Sequence, residues 1–422
     1  MPISSGKTTL LLQVLEDLIE ARGILPVNTL YVNFEDPKFS SNGQDNILQF
    51  IVDAYRVFFH PEGRIYLVLD EIQMVPQWER WVTSVHDRRE DVKIFVTGSS
   101  SALMSEEFAT LLTGRHLEME VFPLDLAEFL QFNDHLPSDP VSIIADSAEL
   151  KGYTNEFIQR GGFPRVVLEP NDNVRAELLR QTYYDILHRD IVTRFHIKDA
   201  RKLEALASYY MTNIANSMSY SATRKALSPK ISLDTIDRFT GYFSSSFLFS
   251  FVPFYAFSLK EQMAMPRKVY AIDNGLRQEV SFRFSGDRGR LLENRVYLDL
   301  RRENQDIFSG IGPSGPRFRE HCQAAKSDIL SNFAPLTIYY WRGRTETDFV
   351  LRQDDEIKEL INVCLEPAAP ETMDRELKSM AESMLHFDKD EGLVITLDFE
   401  DEIIKNGRRI VFRPYWKWRL MP

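Results

Sequence analysis

Ile65-Tyr66-Leu67-Val68-Leu69-Asp70-Glu71 is the stretch whose reading decides the fold. Its unbroken apolar run predicts a strand buried on both faces, the kind found in parallel sheets covered by helices. The two acids at its carboxyl end stand where ligands bind in open α/β sheets. Upstream, Ser5-Gly6-Lys7-Thr8-Thr9 runs directly into Leu10-Leu11-Leu12-Gln13-Val14-Leu15. Leu11, Val14, Leu15, Leu18 and Ile19 recur at helical spacing and Gly23 offers a stop, so Gly-Lys-Thr opens a helix. A helix start presents backbone N–H groups that hold phosphate oxygens. Ser5, Gly6, Lys7, Thr8 and Thr9 are therefore the candidate phosphate-binding segment. Lys7 would reach the β and γ phosphates of ATP, and the Thr8 hydroxyl would ligate Mg2+. Alone the tripeptide is a weak signal; the acid pair gives it weight.

Asp70 would hold Mg2+, directly or through water, and Glu71 would polarise the water that attacks the γ phosphate. Leu30-Tyr31-Val32-Asn33-Phe34-Glu35-Asp36 reads as another apolar strand ending in acids. Val92-Lys93-Ile94-Phe95-Val96-Thr97-Gly98-Ser99-Ser100-Ser101 reads as a strand breaking into a Gly/Ser turn. A polar side chain at that tip would sense the γ phosphate; Ser99 is the first choice and Thr97 the second. Arg115 would supply positive charge to a nucleotide, in cis or from a neighbouring subunit, although an exposed structural arginine fits the sequence equally well. Strand–helix alternation predicts right-handed crossovers and a doubly wound parallel sheet, an α/β fold. An extra strand between the two nucleotide motifs, and a glutamate directly after the aspartate, point to the AAA-like branch of P-loop proteins rather than to kinases or GTPases. A full phosphate loop places a glycine five residues before Gly6, where Met1 stands, and a strand before that. The sheet is thus expected to lack its first strand, and the chain as given to bind ATP weakly or not at all, the alternative being a non-hydrolysing DNA- or protein-binding module with a disabled phosphate loop.

Beside these motifs, Leu112-Thr113-Gly114-Arg115, Phe122-Pro123-Leu124, Gly161-Gly162-Phe163-Pro164, Tyr270-Ala271-Ile272-Asp273-Asn274-Gly275-Leu276 and Gly289-Arg290-Leu291-Leu292-Glu293-Asn294 complete a pattern over nearly the whole chain. The pattern resembles the prokaryotic AAA-type ATPases fused to a carboxy-terminal domain of unknown function. That resemblance implies ATP binding, Mg2+-dependent hydrolysis and assembly through neighbouring nucleotide sites, without a known cellular task.

Farther along, Leu203, Leu206, Ala207, Tyr210 and Met211 share a helical face, and Ser232 can cap a helix through Thr235, Ile236, Phe239 and Phe243. An aromatic strand pair follows, and the whole looks like a winged helix. Arg224, Lys225 and Lys230 would contact DNA phosphates there, or the module packs against protein. The last segment resembles the restriction-endonuclease-like, PD-(D/E)xK core: a helix over 290–302 with Glu293, strands at Thr337–Trp341, Thr347–Leu351 and Glu359–Leu365, a helix over 371–386, and strand Leu393–Leu397. Asp348 takes the place of the metal-binding aspartate. The acid-x-lysine triplet reads Asn362-Val363-Cys364, which keeps neither charge, so a degenerate fold is expected rather than a nuclease. The basic and aromatic tail from Arg408 to Arg419 suits either base stacking or a final strand that locks the terminus.

The resulting plan is an ATPase core over 1–130, a helical linker or lid over 131–174, a winged-helix-like module over 175–285 and the endonuclease-like domain over 286–422. A net charge of −12 argues against a broadly basic nucleic-acid surface. Two cysteines, Cys322 and Cys364, form no disulfide framework, and the histidines lack metal-ligand spacing. Residues 1–20 do not read as a secretory signal, and Phe247 to Phe257 is too short to span a bilayer, so the expected location is cytoplasmic.

Overall fold

The structure is a computed structural model that describes residues 5–39, 46–88, 91–98, 117, 119–227, 231–281, 288–308 and 336–421. Packing divides the chain into two compact units, Met1–Val121 with Ser245–Phe247, and Phe122–Ser244 with Leu248–Pro422.

In the first unit, helix α1 (Lys7–Glu16) starts at Gly6, whose φ of 92° is a left-handed conformation that glycine adopts without steric cost. Strands β1 (Thr29–Asn33), β2 (Ile65–Asp70) and β3 (Val92–Val96) form a wholly parallel sheet in the order β1-β2-β3. Helices α2 (Ile47–Phe59) and α3 (Trp78–Asp87) provide the two connections. β2 is central, which is why Leu67, Val68 and Leu69 are buried. Leu48, Val52 and Tyr55, at helical spacing on α2, share a core with Leu67, Leu69 and Trp78. Register sets the strand tips level: Asn33 pairs with Asp70, and Leu69 with Val96. The chemistry-bearing residues therefore gather at one edge of the sheet.

The second unit opens with helices α4 (Leu126–Phe132), α5 (Ser147–Arg160) and α6 (Asp172–Asp185). Next come α7 (Ala200–Thr212), β4 (Ser217–Met218), α8 (Tyr220–Leu227), α9 (Leu233–Ser245), β5 (Phe249–Val252) and β6 (Arg267–Ala271). The three strands make an antiparallel sheet in the order β4-β6-β5. Leu203, Leu206, Ala207, Tyr210 and Met211 are all buried on α7, and Ser232 Oγ accepts from the Thr235 N–H at 3.1 Å to start α9. After α10 (Asn274–Val280) and α11 (Arg288–Phe308) come β7 (Thr337–Arg342), β8 (Glu346–Gln353), β9 (Glu356–Val363), α12 (Pro370–His386), β10 (Glu391–Thr396), β11 (Asp401–Lys405), β12 (Arg408–Pro414) and α13 (Tyr415–Leu420). Their six-stranded mixed sheet runs β11-β12-β10-β9-β8-β7, with β9, β10 and β12 parallel. One hydrophobic core joins both sheets and the helices, from Phe122 to Trp418. In the tail, Tyr415, Trp416 and Trp418 are buried, and the Tyr415 hydroxyl donates to Asp299 at 2.7 Å. Of the two readings of the tail, this burial fits the one in which its aromatic residues pack onto the domain.

Several separated motifs meet in one buried polar junction. Asp273 accepts from the Gly162 N–H at 2.7 Å, and from Gly275 and Leu276 at 2.7 and 3.3 Å, which caps α10. Burial pushes its carboxyl up to about 6, against those N–H donors, which favour the charged form. Asn274 donates to the Ile158 and Leu291 carbonyls at 2.7 and 2.9 Å, and Asn294 bonds both backbone groups of Ala271. Gly161 is required twice over: its φ is 80°, and a Cβ there would lie 2.1 Å from Asp273 Oδ1. The Gly-Gly-Phe-Pro turn therefore serves packing. Gly161→Ala is expected to cost roughly 3 kcal/mol, read as a lower denaturation midpoint at unchanged slope, from strain and collision together.

Candidate functional site

Asp70 ends β2 and is fully buried. A buried carboxylate costs stability unless hydrogen bonds replace its water. Three hydroxyls from three elements do so. Thr8 Oγ1, at the start of α1, donates to Oδ2 at 2.7 Å, and the Tyr31 hydroxyl, on β1, donates to the same oxygen at 3.0 Å. Thr97 Oγ1, just past β3, donates to Oδ1 and also accepts from the Glu71 N–H at 3.2 Å. Burial, followed by the nearby Asp70 charge, pushes the Tyr31 phenol up to about 12, so it stays a donor at neutral pH.

Successive strand residues point to opposite faces. Glu71 escapes that rule by adopting a φ of 53°, a left-handed conformation that costs a non-glycine residue of order 1 kcal/mol. The turn brings both carboxylates against α1. Lys7 Nζ lies 3.3 Å from Glu71 Oε1, with both side chains buried, and Gln73 Nε2 donates to the other Glu71 oxygen. The carbonyl of Thr97 accepts from the Ile72 N–H at 3.0 Å, which pins the turn to the neighbouring strand tip.

Of the sequence candidates, Gly6, Lys7, Thr8, Asp70 and Glu71 come together here, and Ser5 is buried just before the helix. Thr9 is exposed on α1. Ser99 and Arg115 lie outside the described residues, whereas Thr97, the second choice for the strand tip, touches both acids. Sequence reasoning missed Tyr31 and Gln73. Period-two alternation on β1 places Tyr31 on the same face as Asn33, whose register partner is Asp70, and that was the available signal. Thr8 and Asp70 offer adjoining hard oxygen donors, a set suited to Mg2+. The α1 amino terminus adds outward N–H groups and the positive end of its dipole.

In the second unit, Glu293 on α11 and Asp348 on β8 converge on Lys268 of β6. Asn362 and Cys364 sit at the end of β9, both buried. Arg224 and Lys225 are exposed in the last turn of α8, and Lys230 lies outside the described residues. No described helix is long and apolar enough to cross a membrane.

Residues 4–130 match the AAA domain, and residues 152–286 match a domain of unknown function, DUF8612. An uncharacterised protein of Methanocaldococcus jannaschii is 30% identical, over 98% of this chain and 86% of its own length. An uncharacterised protein of Haemophilus influenzae is 29% identical, over 85% of this chain and 86% of its own length. The winged-helix and nuclease resemblances find no counterpart among these matches. The AAA match, with the parallel sheet and the Lys7–Asp70–Glu71 cluster at its edge, is that of a nucleotide-binding domain of the ATPase type. The chain belongs to the family of that archaeal protein, with an AAA domain at its amino terminus and a domain of unknown function behind it.

Proposed function

We propose that the first unit binds ATP with Mg2+ and hydrolyses it, and that the nucleotide state is passed to the second unit. The observation that carries this reading is the convergence of Lys7, Thr8, Asp70, Glu71 and Thr97 at one helix start and two strand tips. Thr8 and Asp70 are the residues that would hold Mg2+, which when bound neutralises charge on the phosphate oxygens.

Lys7 exchanges its partner when nucleotide arrives. Its ammonium leaves Glu71 for the β and γ phosphate oxygens, and Glu71 then accepts a proton from the attacking water. Water oxygen bonds to the γ phosphorus, the bond to the bridging oxygen breaks, and ADP and phosphate leave. Thr97 holds Asp70 and the Glu71 backbone in place throughout. In the same reading, Ser99 senses the γ phosphate, Arg115 adds positive charge, and Ser5, Gly6 and Thr9 line the phosphate cradle.

The helix–strand–helix–helix–strand order of α7 to β5, closed by β6 after a short helix over Leu259–Ala264, supports a winged-helix reading of that module, with Arg224 and Lys225 available to a DNA or protein partner. The order helix, three antiparallel strands, helix, parallel strand from α11 to β10 supports an endonuclease-like ancestry for the last segment. Both modules are read as the receivers of the nucleotide signal.

Purified full chain is expected to hydrolyse ATP only with Mg2+. Lys7→Ala should weaken nucleotide binding roughly tenfold or more, the worth of a charge-assisted contact. Glu71→Gln should keep binding and lose turnover by about 100-fold or more. Equal turnover in Glu71→Gln would refute its role. Thr97→Val, which strips an oxygen of Asp70 and the Glu71 N–H of their partner, should destabilise the first unit by roughly 1–3 kcal/mol. Tyr31→Phe should cost about 1 kcal/mol, because Thr8 still serves the same oxygen. Denaturant titrations of the three proteins compare them directly.

A further inference from the structure

Lys268 stands in the middle strand of the small antiparallel sheet, and its side chain is 1% exposed. Its Nζ lies 2.9 Å from Glu293 Oε1 on α11, 2.8 Å from Glu346 Oε1 and 2.8 Å from Asp348 Oδ1, both on β8. The ammonium donates hydrogen bonds to Glu293 and Asp348, and Glu346 adds a third ion pair. The carboxylates are positioned in their turn. Tyr270 donates its hydroxyl to Glu293 at 2.8 Å, and the Val363 N–H donates to Asp348 Oδ2 at 2.9 Å.

Negative charge is in excess here. One ammonium faces Glu293, Glu346 and Asp348, and Glu376 on α12 adds its field at Asp348. Burial and the Asp348 charge push Glu293 up to about 7, even with Lys268 beside it. Burial would pull Lys268 down, yet the surrounding carboxylates hold its ammonium well above the ordinary lysine range. One rung beyond the Phe349–Ile361 pair, Asn362 faces Asp348 across the β8–β9 ladder. It donates Nδ2 to Glu376 and Ser379 at 3.1 Å each, while its Oδ1 is buried without a hydrogen-bond partner among the described residues.

An endonuclease-like core implies a divalent metal on Asp348 and the helix glutamate, but the residues present do not fit one. The oxygens that would ligate it are already bonded to a lysine ammonium. With Lys268 in place, no group of three or more His, Cys, Asp or Glu among the described residues is arranged to hold a metal. We propose that Lys268 is a built-in cation filling a carboxylate pocket that would otherwise take a divalent metal, and that it latches the small sheet to the six-stranded one. A cation carried by the chain cannot dissociate, so this junction is independent of metal supply. The same lysine closes the metal-dependent route to phosphodiester cleavage. Glu346, whose side chain is 32% exposed, marks the open side through which an ion would enter once the lysine is gone.

The test is Mn2+ binding to the nucleotide-free full chain, followed by calorimetry and by electron paramagnetic resonance of the free ion. Wild type should show no Mn2+ site that depends on Asp348. Lys268→Met should bind one Mn2+ per chain at least tenfold more tightly than wild type, its melting temperature should rise with Mn2+, and added Asp348→Asn should abolish both gains. Should Lys268→Met fail to fold, Lys268→Met/Glu346→Gln relieves one charge, leaves Glu293 and Asp348 facing the gap, and should show the same gain. Wild-type Mn2+ binding that Asp348→Asn removes would overturn the proposal. So would a folded lysine variant with no new site.

Discussion

Asp70 is the constraint around which the nucleotide-binding unit is built. A carboxylate with no solvent contact has to find donors, and its three hydroxyl partners come from α1, β1 and the tip of β3. Satisfying one side chain therefore fixes the helix start and both neighbouring strands relative to β2. The arrangement that stabilises the unit also assembles the chemistry. Thr8 is held where it and Asp70 present oxygens to one point, and the turn that carries Glu71 is held by the same Thr97.

In the proposed mechanism, the ion pair between Lys7 and Glu71 gives the site two states. Paired, each buried charge neutralises the other. A polyphosphate offers Lys7 more negative charge than one carboxylate does, so nucleotide binding and the release of Glu71 become a single event. On that proposal the new contacts offset the cost of separating the pair, and Glu71 meets water only when substrate is in place. The second unit uses charge in the opposite way. Lys268 is held by three carboxylates at once.

Residues whose role is local were legible in the sequence. The five-residue apolar run and its acids gave the central strand, helical spacing after Gly6 gave α1, and the alternating and helical patterns in the second half matched β7 to β10 and α7 to within a few residues. Thr97 and Asp348 were visible because each sits at a defined place on a strand. Tyr31 and Lys268 were not, for a common reason. Each acts through a neighbouring strand or sheet, and the pairing that brings it to its partner is a matter of register, which no single segment encodes. The Gly161–Asp273 junction was likewise visible only as separate motifs; Asp273 capping α10 while accepting from Gly162 joins segments far apart in the chain.

The central claim is that the cluster at the edge of the parallel sheet is a nucleotide site. Equilibrium titration of a fluorescent ATP analogue into the full chain, with and without Mg2+, tests it most directly. The account predicts saturable binding at one site per chain, strengthened by Mg2+, displaced by unlabelled ATP and lost in Asp70→Ala. Absence of saturable binding, or binding indifferent to Asp70, would contradict it.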